Sequence, residues 1–66
     1  MFFEVKITFA GNKSRTFRVD EKNAKYLTQI GLYERREGFI GFADADFKAY
    51  VFALPTLESI EIKEEA

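Results

Sequence analysis

Phe3-Glu4-Val5-Lys6-Ile7-Thr8-Phe9 decides how this chain folds, because apolar and polar residues alternate through all seven positions. Successive side chains of a strand point to opposite faces, so this spacing predicts a strand with Phe3, Val5, Ile7 and Phe9 buried on one side. Ala10 to Ser14 then carry Gly-Asn turn chemistry, and Arg15 to Val19 alternate again. The two runs read as a β-hairpin. A two-residue Gly11-Asn12 loop would set Ile7 opposite Thr16 and Lys6 opposite Phe17, placing polar groups on the apolar face. A longer loop, Gly11 to Lys13, sets Ile7 opposite Phe17, Val5 opposite Val19 and Lys6 opposite Arg18, and is the register the pattern favours.

Outward from the hairpin, Asp20 has the place and chemistry of a helix N-cap, and Glu21 beside it suits the first turn. At 100° per residue, Ala24, Tyr26, Leu27 and Ile30 fall on one arc, with Glu21, Lys22, Lys25, Thr28 and Gln29 on the other. Gly31 is placed to end the helix in the left-handed conformation. Beyond it, Leu32 to Arg36 read as extended before a turn at Glu37-Gly38. Three more strands follow: Phe39 to Ala43, Phe47 to Leu54, and a last one around Ile60 and Ile62, set off by Leu54-Pro55-Thr56. The predicted class is α+β, in the order ββαβββ: a hairpin, one short helix, then an antiparallel meander, with about five strands and the helix on one face. A small, strongly bent β-barrel is the alternative. Residues 1–63 form a single compact domain, and 64–66 read as a frayed acidic end.

Composition bounds the chemistry. Sixty-six residues allow one domain whose core only just offsets chain entropy, and eight Phe with three Tyr supply a dense one. With no Cys and no His, a disulfide framework, a thiol nucleophile, an imidazole base and the common zinc sites are excluded. Ser14 and Ser59 therefore have no histidine partner, the glycines form no phosphate-binding fingerprint, and the acids sit at strand ends, turns and the tail. The expectation is no enzyme, no cofactor and no metal. Asp44-Ala45-Asp46 has the opening spacing of a calcium loop, but Lys48 takes the third ligand place and Pro55 the twelfth, so a hairpin turn is the better reading. A formal charge of -1 supplies no overall field for nucleic acid or an anionic membrane. No apolar run approaches a membrane span, and the start lacks a secretory signal, so the expected location is cytoplasmic.

The central strands carry the functional question. Alternation puts Phe39, Phe47 and Val51 on one face and Ile40, Phe42, Tyr50, Phe52 and Leu54 on the other. One helix cannot cover two apolar faces, so the sheet either closes on itself or docks on a partner. The expected function is a non-catalytic protein-interaction module, a homodimeric regulatory or accessory protein, with Ile40, Phe42, Tyr50 and Phe52 as candidate interface. The alternative is a small nucleic-acid-binding protein using Lys6, Arg15, Arg18, Arg35 and Arg36 on phosphates, with aromatic rings to stack on bases.

Overall fold

The structure, a computed structural model, describes residues 1–31 and 37–65. Its elements run β1 (Phe2–Phe9), β2 (Lys13–Asp20), α1 (Glu21–Gly31), β3 (Phe39–Ala43), β4 (Ala49–Ala53), a 3-10 turn (Leu54–Thr56) and β5 (Leu57–Glu64). Among the described residues, the class is α+β in the order ββαβββ, all strand pairs are antiparallel, and no barrel closes. The five strands divide into two sheets, β2-β1-β5 and a β3-β4 ribbon.

Two features of the topology depart from the expected meander. First, β5 pairs with β1 rather than with β4. Pro55, in the 3-10 turn, redirects the chain after β4, and the Ala10 amide donates to the Thr56 carbonyl at 2.9 Å. Second, the hairpin register differs by two residues from the expected one: Val5 faces Phe17, Phe3 faces Val19, Ile7 faces Arg15 and Lys6 faces Thr16. The loop is Ala10-Gly11-Asn12, with Gly11 at φ 86° and Asn12 at φ 63°, two residue types that adopt the left-handed region readily. A shift of two preserves which face each side chain occupies, so Val5, Ile7, Phe17 and Val19 are buried together as the alternation requires.

Asp20 caps α1 as its chemistry predicts: its carboxylate accepts from the Asn23 backbone N–H at 2.9 Å and from the Asn23 side chain at 3.0 Å. Ala24 and Leu27 are buried and Ile30 half-buried, while Tyr26, expected on the same arc, lies at its exposed margin. The helix covers one end of the inner face of the three-stranded sheet. The ribbon covers the other, where Phe17 meets the rings of Phe42, Tyr50 and Phe52 at centroid distances of 5.2, 4.7 and 6.0 Å, and Phe9 meets Phe52 at 5.1 Å. A two-stranded ribbon is marginal by itself in water, so this aromatic packing is what holds it.

At the C-terminal end, residues 64 and 65 are paired with β1. Glu64 stands opposite Phe3, the Glu65 amide donates to the Phe2 carbonyl at 3.2 Å, and the Glu65 carboxylate takes the Arg18 guanidinium at 3.0 Å. The extended reading of Leu32 to Arg36 falls outside the described residues.

Candidate functional site

The ribbon decides which apolar face the chain keeps for itself. Ile40 stands opposite Phe52, and Phe42 opposite Tyr50; Phe42, Tyr50 and Phe52 pack on Phe17, Phe52 also on Phe9, and Ile40 is buried on the same face. Ile40 is 1% exposed and Phe42 5%, so two of the four residues expected to form an interface lie in the core, and Tyr50 and Phe52 are half-buried against it. The physical reason is that the rings of β1 and β2 complete this face from within the same chain. The face left bare is the other one, where Phe39 faces Ala53, Gly41 faces Val51 and Ala43 faces Ala49. Phe39 is 74% exposed and Val51 69%. At the turn end of the same ribbon, Phe47 is 90% exposed. The two phenylalanines alone present roughly 250–400 Å² of apolar surface, from the usual area of an aromatic side chain. With Val51 and the small residues of this face, the exposed apolar surface of the ribbon reaches the size of the largest patches normally found on a soluble monomer.

Two residues on this hairpin run against what their own backbone favours. Phe47 has φ 63°, a region that penalises a bulky side chain and suits Gly or Asn. The turn imposes that angle. The Asp44 carbonyl accepts from the Phe47 N–H at 3.0 Å, and the Asp44 N–H donates to the Lys48 carbonyl at 2.9 Å. One Asp44 carboxylate oxygen also accepts from the Asp46 and Lys48 amides, both at 2.9 Å. Gly41 is the converse case. Its strand pairs without a bulge, and a Cβ there would meet nothing closer than the Tyr50 carbonyl at 3.6 Å and a Val51 methyl at 3.7 Å. The fold has room for a side chain at a strand position where glycine is unfavourable.

Asp44 explains the Asp44-Ala45-Asp46 run as turn chemistry. Its second carboxylate oxygen accepts from the Tyr50 hydroxyl at 3.0 Å. The Lys48 amide, with help from Tyr50 and Asp46, holds the Asp44 carboxyl below its ordinary range, and the same carboxylate raises the Tyr50 phenol above its ordinary value. Among the described residues, no group of three acidic side chains gathers to hold a metal ion.

Of the residues expected to bind phosphate, the three that are described, Lys6, Arg15 and Arg18, are not gathered on one surface. Arg18 lies on the outer face of the three-stranded sheet, directly opposite Glu4, with its guanidinium paired to Glu65 and stacked 3.9 Å from the centre of the Phe2 ring. Lys6 shares that face but stands opposite Thr16 on one side and Glu61 on the other, and Glu4 stands opposite Lys63. The expected pairing of Lys6 with Arg18 is thus replaced by an alternation of charge. Arg15 belongs to the inner face, where its guanidinium lies 5.0 Å from the Phe17 ring centre and 5.4 Å from that of Tyr50. Arg35 and Arg36 lie outside the described residues.

The described residues also line open depressions on the surface. One, of about 360 Å³, lies beside Lys6, Thr16 and Glu61, and another, of about 320 Å³, lies between α1 and the sheet beside Phe3, Ala24 and Ile62. Neither encloses a volume as ligand pockets do. Among the described residues, no helix is long and apolar enough to cross a membrane. Compared with protein-family models, curated proteins and solved structures, the chain finds no match.

Proposed function

We propose that this chain is a non-catalytic protein-interaction module that docks on a protein partner through the outer face of the β3-β4 ribbon. One observation carries the reading: the bare apolar face and the two residues that oppose local backbone preference occur on the same hairpin. A glycine that the fold does not need leaves a low spot beside Val51, and a phenylalanine that the turn disfavours holds a ring in solvent. Departures from local consistency concentrate where a surface serves something other than folding. The turn end and the centre of the patch both suit an interface. Asp46 and Lys48 give it a polar margin at the turn, and its centre has no charge to desolvate.

The test is a photo-reactive amino acid placed at Val51 and, as a control on the polar sheet face, at Lys6, in the cells the chain comes from. Illumination is expected to give a discrete protein adduct from position 51, lost with Phe39→Asp, and none from position 6. No adduct from position 51, or equal adducts from both positions, overturns the reading.

A further inference from the structure

Building on that docking face, we infer that its occupant is a second copy of this chain, packed face to face about a twofold axis parallel to the strands. The register supplies the argument. In two of the three rows of the outer face a large side chain stands beside a small one: Phe39 beside Ala53 and Val51 beside Gly41, with Ala43 beside Ala49 closing the third. A twofold axis along the strands lays β3 of one copy over β4 of the other without shifting the rows. Phe39 then meets the partner copy's Ala53, Val51 meets the partner copy's Gly41, and Ala43 meets the partner copy's Ala49. Every projection faces a depression, which is the self-complementarity that an isologous contact requires. An in-plane axis across the strands fares worse, since it stacks valine on valine and leaves glycine over glycine.

The chemistry of the face also favours its own copy. None of its six positions bears a charged or hydrogen-bonding side chain, so a second copy brings neither repulsion nor an unpaired polar group, and no charge pattern selects a foreign surface. Gly41 acquires a role here, because the sheets can approach closely only where a side chain is missing. The area sets the strength. Phe39, Val51 and the four small residues present on the order of 300–400 Å² per copy, so covering both faces removes roughly 600–800 Å² in total, the scale of weak, concentration-dependent association rather than of a permanent dimer.

Sedimentation equilibrium of the purified chain from low micromolar to millimolar concentration tests this, with Gly41→Val alone and with the exchange Gly41→Val plus Val51→Gly. The expected wild-type result is a monomer that passes to twice the chain mass as concentration rises. Gly41→Val puts valine against valine and is expected to raise the dissociation constant about tenfold or more. The exchange restores large against small and is expected to bring it back to within about threefold of wild type. Thermal melts of both variants at the dilute end confirm that each is folded. A wild type that stays monomeric at millimolar concentration overturns the second copy, and the adduct from position 51 in cells then shows whether the docking face itself survives. A dimer indifferent to Gly41→Val, or an exchange that fails to restore it, overturns the packing proposed.

Discussion

Replacing Phe47 by glycine removes an aromatic ring and is nevertheless expected to make the isolated chain more stable. The ring is 90% exposed, so its deletion forfeits little burial. The backbone at φ 63° penalises any side chain with a Cβ by about 1–2 kcal/mol, and glycine escapes that penalty while giving back about 0.5–1 kcal/mol of unfolded-state entropy. The net gain is about 0.5–1 kcal/mol, which for a domain of this size raises the midpoint by about 2–8 °C. Phe47→Ala is the control, because it deletes the ring and keeps the strained angle, and should leave the midpoint nearly unchanged. Circular dichroism melts at low micromolar concentration, where the chain is expected to be monomeric, read the effect without a contribution from association. If Phe47→Gly and Phe47→Ala both melt several degrees below wild type, the ring packs within its own chain and the case for an outward role of Phe47 fails.

Four further outcomes follow from the geometry. Asp20→Ala removes the cap on α1 and should cost about 1 kcal/mol, read by denaturant unfolding, with no loss if the Asn23 amide finds another acceptor. The Asp44 carboxyl is depressed in the folded state, so its stabilising contribution is complete above its ordinary value of 3.8 and is lost as pH falls through the lower folded value. The melting advantage of wild type over Asp44→Asn should therefore shrink on acidification below that value. Tyr50 has the opposite sign, its contribution being present below 10.0 and lost as pH rises through its elevated folded value; ultraviolet titration of the phenol reads this directly. Mixed-sequence oligonucleotides should bind weakly or not at all at about 50 mM salt, given the charge alternation around Lys6 and Arg18; tight binding that falls steeply by 200 mM and weakens with Arg18→Ala would restore the phosphate-binding alternative.

Much of the fold was legible because its signals are local. The alternation of Phe3 to Phe9, the Asp20 cap and the two faces of the ribbon each depend on a few adjacent residues. The hairpin register was not, because a shift of two residues leaves every side chain on the same face, and the choice rests on which loop residues accept positive φ. Nor was the β1-β5 pairing, a contact between the two ends of the chain that Val5, Ile7, Ile60 and Ile62 would permit but do not specify. The site followed the same division. Alternation separated Phe39 and Val51 from Ile40 and Phe42, yet could not say which set Phe17 would cover. Gly41 was visible as a strand glycine, and the structure excludes the bulge that would have explained it. The positive φ of Phe47 was hidden, since it arises only when Asp44 and Lys48 close the turn.

The most direct measurement is an isotope-filtered nuclear Overhauser experiment on an equal mixture of labelled and unlabelled chain at millimolar concentration. It reports only contacts between molecules. Cross-peaks are predicted from the Phe39 ring to the Ala53 methyl and from the Val51 methyls to the Gly41 α-protons, with none from Lys6, Thr16 or Lys63 on the polar sheet face. Intermolecular peaks confined to that polar face, or no intermolecular peaks at all, would contradict the assignment of the outer ribbon face as the surface on which two copies meet.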